Sequence, residues 1–263
     1  MNLQELTPIQ KIDNIYIKRD DLFEFAGCNG SKVRSALYII QKGIREGYNT
    51  FVSIGSRFSP QCEIISNICE KLDCKCYLFM PNSNKDTSII KNIKNNRNTI
   101  LIRDLKQGAY TNVLIARSKK FAEENNYYYI PFGMECLENI NITSKQVENL
   151  PKDINRIVVA VGSGMNFVSI INGLQYYNRN NIEVIGIQVG KDPTKLINKY
   201  CPMFKFLKHK IINCNIAYEK QIIASINDIE LDPIYEAKCI NYLQPNDLFW
   251  IVGHRKLQDK YIK

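Results

Sequence analysis

The sequence predicts an α/β fold with mostly parallel sheets, and three observations carry that prediction. Short apolar runs alternate along the chain with amphipathic helical stretches. One run, Ile157, Val158, Val159, Ala160 and Val161, is apolar at every position, as expected of a strand covered on both faces. The helical stretches place apolar residues on one face, as at Ala36, Leu37, Ile40 and Ile44.

The elements follow in order. Residues 15–18 read as a strand and 33–46 as a helix. Residues 50–54 are strand-like and run into a turn at Gly55. Residues 62–72 form a second helix, and 75–80 a strand closed by Pro81 and Asn82. Another strand covers 99–102; the rest of 82–103 reads as a basic loop. Residues 110–125 form a helix ending in an Asn pair, and 127–130 a strand before Pro131. After the apolar strand at 157–161 comes a Gly-containing turn, a helix over 167–177 and a strand over 183–189. Pro233 precedes a helix over 234–243, and 248–252 form the last strand. There is no repeat of 20 to 50 residues and no flexible linker. Topology suggests a larger domain of residues 1–47 with 150–263 and a smaller one of 48–149.

Composition narrows the function classes. At 263 residues, 45% hydrophobic and 23% charged, the chain is long enough for a sizeable core and is neither disordered nor a disulfide scaffold. No apolar run reaches the roughly 20 residues of a membrane-spanning helix, and the N-terminus does not read as a secretory signal. Nine cysteines are then expected to be reduced thiols in a cytoplasm-like compartment. Cys74 and Cys76 form a C-x-C pair, but His209 and His254 are distant in sequence, so no metal site is expected. Lys and Arg outnumber Asp and Glu by 35 to 26, a net charge of +9 that permits attraction to nucleic acid. The basic residues are dispersed, which also fits a solvated surface.

Three segments carry chemistry. The first is Lys18, Arg19, Asp20, Asp21 and Leu22, followed by Asn29, Gly30, Ser31, Lys32, Val33 and Arg34. Lys32 follows a small-residue turn and opens a helix, whose positive dipole end favours a neutral amine. A neutral lysine is what Schiff-base chemistry requires, although the same position suits a surface lysine. The second is Gly162, Ser163, Gly164, Met165 and Asn166, where a buried strand turns into a helix N-terminus. Such a turn suits a phosphate, or merely a tight connection. The third is Asp232, Pro233, Ile234, Tyr235, Glu236, Ala237 and Lys238, which also reads as a helix cap with a core tyrosine.

Taken together, these segments and their order resemble the 1-aminocyclopropane-1-carboxylate deaminase and D-cysteine desulfhydrase family. Those are pyridoxal-phosphate enzymes of the tryptophan-synthase-β fold, fold type II. The likeness runs from Thr7 to about Lys238. It implies two α/β domains with open twisted sheets flanked by helices and the cofactor in the cleft between them. It implies Lys32 as the catalytic Schiff-base lysine, with Gly162, Ser163, Gly164, Met165 and Asn166 on the cofactor phosphate. Glu236 would face the pyridine nitrogen and Tyr235 the ring, the latter also catalytic; Ser59 and Gln61 would receive the substrate carboxylate. The resemblance suggests a homodimer. A carboxylate at the ring nitrogen keeps it protonated, so that the ring accepts electrons from a substrate carbanion.

The chain also departs from the family's pattern. Pro60 stands in the substrate loop where the family carries asparagine, and proline offers neither a side-chain amide nor a backbone N–H. Ser31 and Ser35 replace an asparagine and a lysine, and Met165 stands where a small residue is usual. The first reading is therefore an enzyme performing elimination, deamination or decarboxylation on an amino acid or amino-acid-like amine, without transfer of cyclopropane ring opening itself. A second reading places the amine on a nucleotide or DNA. A third is a non-catalytic ligand-binding relative. Arg57, Tyr110 and Arg255 are further candidate substrate contacts.

Overall fold

A computed structural model describes residues 2–83, 86–103, 111–190, 192–201 and 208–255. In chain order the longer strands are β1 (Ile9–Ile12), β2 (Ile15–Arg19), β3 (Thr50–Ile54), β4 (Lys75–Phe79), β5 (Thr99–Ile102), β6 (Tyr128–Ile130), β7 (Arg156–Val161), β8 (Glu183–Gln188), β9 (His209–Asn213) and β10 (Leu248–Ile251). The α-helices are α1 (Ser31–Arg45), α2 (Gln61–Lys71), α3 (Ser88–Asn95), α4 (Thr111–Glu124), α5 (Leu137–Ser144), α6 (Met165–Tyr176) and α7 (Thr194–Tyr200). The chain divides into two compact units. The first comprises Met1–Glu24, Asn29–Arg34 and Leu137–Arg255. The second comprises Phe25–Cys28 and Ser35–Cys136 among the described residues. The division thus falls within α1.

The first unit is built on a six-stranded sheet in the order β1-β2-β10-β7-β8-β9. β1 and β2 pair antiparallel, and the other neighbours pair parallel. The apolar run predicted as a doubly covered strand is β7, and its two faces enter different cores. Ile157, Val159 and Val161 pack with Phe167, Val168 and Ile171 of α6. Val158 and Ala160 pack with Ile229, Leu231, Ile234 and Ala237. This is the period-2 alternation of a strand with an apolar layer on either side.

The second unit holds a four-stranded, all-parallel sheet in the order β5-β4-β3-β6. β3 is buried along its whole length. No disulfide joins any of the nine cysteines. Among the described residues, no helix is long and apolar enough to cross a membrane.

Two expectations need correction. The stretch 82–103 contains α3, besides the strand expected at its end. Thr87 caps α3 by accepting the N–H of Ile90 at 3.3 Å, and Ile89, Ile90 and Ile93 are buried. The residues after Pro233 form a 3₁₀ segment, Glu236–Tyr242, and not an α-helix. There the Asp232 carboxylate takes the N–H groups of Ile234 and Tyr235, and the N–H of Lys238 closes a tight turn onto the Tyr235 carbonyl. Elements absent from the sequence reading also appear: β1, β9, α5, α7 and a small hairpin of Ser225–Ile226 with Ile229–Glu230. The helix predicted over 110–125 is seen as α4; Tyr110 lies outside the described residues.

Candidate active site

The site is assembled in the first unit, beginning where α1 starts. Gly30 has φ +102°, and a Cβ there would stand 2.5 Å from the Val252 carbonyl oxygen and 2.8 Å from Gly253 Cα. Only glycine fits this crossing. The N–H of Ser31 donates to the Val252 carbonyl at 2.8 Å. Lys32 is thereby the second residue of α1, half-buried.

The charged motif upstream acts as the anchor of that turn. Asp20 accepts from Thr7 Oγ1 at 2.7 Å, Trp250 Nε1 at 2.9 Å and Arg34 at 3.2 Å. Arg34 sits two residues after Lys32, fully buried, with its guanidinium 4.6 Å from the Phe23 ring centroid. Lys18 is also fully buried and donates to the Thr7 carbonyl at 2.8 Å and to Asn149 Oδ1 at 2.7 Å. Burial lowers its pKa to about 8, against the opposing pull of Asp20.

The Gly turn leads from β7 into α6. Gly164 has φ +95° and precedes Met165, the first residue of the helix. The Met165 side chain belongs to the core, so only its backbone faces a ligand role. The first-turn N–H groups of a 12-residue helix have no partners within the helix, and the glycines let an anion approach them. Asn166 Oδ1 accepts from Ser31 Oγ at 3.1 Å, which brings this turn to the turn that bears Lys32.

Tyr235 and Glu236 complete the arrangement. Tyr235 lies against the Gly turn: a Cβ on Gly162 would be 2.7 Å from its Cε1. Its hydroxyl is 2.9 Å from that of Tyr218. Burial, then the neighbouring Tyr218, pushes its pKa well above the usual phenol range. Glu236 is 2% exposed, and its Oε1 accepts the Val252 N–H at 3.0 Å. Its Oε2 is buried without a hydrogen-bond partner. Burial, then the negative charge of Asp232, raises its pKa well above the ordinary carboxyl range. Tyr218 was not singled out from sequence; it lies in a segment with no periodicity to mark it.

Ser59 and Gln61 belong to the second unit. Gln61 is fully buried, with Nε2 donating to Ser53 Oγ at 3.1 Å and to the Pro131 carbonyl at 2.8 Å. Those partners leave Oε1 as a buried acceptor without a partner. The Gln61 N–H reaches Ser59 Oγ at 3.4 Å, and the Ser59 N–H donates to the Ser56 carbonyl. Arg57 stands over the Phe58 ring. Arg255 pairs with Asp232 through two nitrogens, at 2.6 and 2.7 Å.

The residues of the first unit fit a phosphorylated pyridine aldehyde. An unpartnered buried carboxyl oxygen with a raised pKa suits a shared proton on a ring nitrogen. The Gly162–Gly164 turn offers a phosphate cradle, and a half-buried lysine opens the adjoining helix. A family model described as "Pyridoxal-phosphate dependent enzyme" matches residues 1–201. The chain belongs to that family. Tyr235 and Glu236 lie beyond the matched stretch.

As a family member the chain is 29% identical over 203 residues to a probable 1-aminocyclopropane-1-carboxylate deaminase of Schizosaccharomyces pombe, covering 69% of this chain and 58% of that one. It is 24% identical over 193 residues to a D-cysteine desulfhydrase of Salmonella paratyphi A, covering 67% and 57%. The chain thus spans less than two thirds of the length of these relatives. Its fold superposes on the crystal structure of an ACC deaminase homologue with a TM-score of 0.80 at 22% identity, covering 95% of this chain and 89% of that one. At that identity the likeness speaks for the fold, an α/β architecture of fold type II.

Proposed function

We propose that this chain is a pyridoxal-phosphate-dependent enzyme of the lyase or deaminase type, acting on an amino acid or an amino-acid-like amine. The observation that carries the proposal is the buried, unpartnered Oε2 of Glu236, tied through Val252 to the turn that bears Lys32. When bound, pyridoxal phosphate supplies an aldehyde for the substrate amine and a ring that takes up electrons from the broken bond.

The chain's own residues have separate tasks. Lys32 Nζ would hold the aldehyde and would take and return the substrate proton. The backbone of 162–166 would bind the phosphate. Glu236 Oε2, buried without a partner, would hold the proton of the ring nitrogen. Tyr235, half-buried and packed against Gly162, would wall the ring. In the second unit, the Gln61 amide nitrogen is already committed to Ser53 and Pro131. Absence of disulfides supports a reducing, cytoplasm-like compartment. The family resemblance supports a homodimer, which light scattering of the purified protein tests.

The test of the function is direct. Titration with pyridoxal phosphate is expected to give a visible absorption band, and borohydride is expected to bleach it and leave the added mass on Lys32. Lys32→Ala loses both. A protein that takes up no cofactor, or is labelled only elsewhere, overturns the proposal. Release of ammonia and a keto acid from D-cysteine or 1-aminocyclopropane-1-carboxylate then identifies the substrate type.

A further inference from the structure

Residues 252–255, which follow β10, touch the other parts of the site in the first unit. The N–H of Val252 donates to Glu236 Oε1 at 3.0 Å, and its carbonyl accepts from the Ser31 N–H at 2.8 Å. Gly253 lies against Gly30: a Cβ on it would be 3.3 Å from Gly30 Cα. The N–H of His254 donates to Asn29 Oδ1 at 2.7 Å. Arg255 closes the segment on Asp232, with Nε to Oδ2 at 2.6 Å and Nη2 to Oδ1 at 2.7 Å. Asp232 Oδ1 also takes the N–H groups of Ile234 and Tyr235, at 2.9 and 3.1 Å. The Arg255 guanidinium stands 5.0 Å from the centroid of the Tyr235 ring.

Arg255 therefore holds Tyr235 twice, once through the carboxylate that caps its backbone and once on its ring face. We infer that Arg255 is a positioning residue, which fixes Tyr235 and Glu236 in the register that residues 252–255 tie to the Lys32 turn. The inference rests on the pyridoxal-phosphate reading above. A bidentate guanidinium–carboxylate pair constrains orientation as well as charge, and a lysine cannot reproduce the fork. The side chains are only 16% and 4% exposed, so the pair is little screened. Burial disfavours the charged guanidinium, yet the Asp232 carboxylate more than offsets it and keeps Arg255 a cation. Without that cation, Asp232 would be a bare charge beside Glu236, raising further the carboxyl that faces the ring nitrogen. The alternative role, direct capture of a substrate carboxylate, would have to compete with Asp232 for Nε and Nη2.

The experiment compares wild type, Arg255→Lys and Arg255→Met, each with pyridoxal phosphate as the probe. For each we would measure the cofactor dissociation constant, the pH response of the visible band, the borohydride label on Lys32 and the thermal transition. Arg255→Met is expected to melt cooperatively and still label Lys32. It should bind the cofactor roughly tenfold more weakly, with the band's pH midpoint moved by about half a unit. Arg255→Lys should shift both in the same direction by less. If Arg255→Met gives no cooperative transition, Arg255→Lys decides on the same two readouts. A variant with wild-type affinity and pH response, changed only in melting temperature or in substrate KM, overturns the inference. A wild-type protein that leaves Lys32 unlabelled overturns the cofactor reading and this inference with it. A labelled wild type beside an unaltered Arg255→Met overturns the role of Arg255 alone.

Discussion

Ser31 Oγ donates to Asn166 Oδ1 across 3.1 Å, so the first residue of α1 meets the second residue of α6. The bond joins the turn of Lys32 to the Gly turn by side chains alone. Asn166→Ala is expected to destabilise the protein by about 1 kcal/mol, the usual net worth of one such bond. It should weaken pyridoxal phosphate several-fold more than its effect on melting explains, because two parts of the cradle then drift apart. Cofactor titration beside thermal melting checks this. Equal losses in apo and loaded protein would mean that the bond is only structural.

Glu236 offers a case where stability and function oppose each other. Its folded pKa lies above the unfolded one, through burial and then Asp232. The folded state therefore binds the extra proton. Stability from that proton is fully present below the unfolded pKa of about 4.3 and is lost as pH rises toward the folded value. Glu236→Gln removes the ionisation. The apo variant is expected to lose less stability than wild type between pH 5 and pH 8, while turnover falls by on the order of a hundredfold or more. Denaturant unfolding of both proteins over that pH range is the measurement. Parallel curves would show that the carboxyl does not titrate in that range.

The two glycines of the turn fail differently when substituted. Gly162→Ala places a methyl 2.7 Å from Tyr235 Cε1 and 3.2 Å from its hydroxyl oxygen. The ring must move, at about 1–3 kcal/mol, and the cofactor site moves with it. Gly164→Ala strains a backbone held at φ +95° and meets Pro193 at 2.9 Å, a loss of similar size. Gly162→Ala is expected to shift the visible band of the bound cofactor, whereas Gly164→Ala mainly lowers the melting temperature and the affinity. Spectra at saturating cofactor separate the two.

Much of this was legible in the residues. The five apolar positions of 157–161 announced β7, and glycine spacing announced the turn after it. The chemical order of lysine, Gly turn and Tyr-Glu pair located the parts that the first unit brings together. The anchor role of Lys18 and Asp20 was hidden, because their partners Thr7, Asn149 and Trp250 are distant in sequence and a charge motif looks alike on a surface or in a core. Gln61 shows the converse. Its type suited a substrate contact, but only the fold reveals that Ser53 and Pro131 hold its amide nitrogen. The short helix α3 has its isoleucines at helical spacing, Ile89, Ile90 and Ile93, but it spans only eight residues inside a stretch rich in Asn and Lys that reads as a solvated loop.

Lys18 carries the last prediction. Its ammonium is fully buried, and burial brings its pKa from 10.5 to about 8. Between those values the unfolded chain binds more protons than the folded one, so stability from this group rises with pH across that window. The full gain is at most roughly 3 kcal/mol, at 1.36 kcal/mol per pKa unit. A neutral amine still has two N–H bonds for the Thr7 carbonyl and Asn149 Oδ1, so alkali removes the buried charge without breaking the contacts. Lys18→Met leaves Asn149 Oδ1 without its donor, although the Thr7 carbonyl keeps Asn149 Nδ2 at 2.8 Å, and takes a counter-charge from Asp20. It is expected to destabilise by about 2–4 kcal/mol at pH 7.5. The gap to wild type should widen toward pH 10, as only wild type gains from deprotonation. Paired unfolding curves at several pH values read the difference directly and cancel the titration of other tyrosines and cysteines. A gap that stays flat over that range would mean that Lys18 keeps an ordinary pKa in the folded protein.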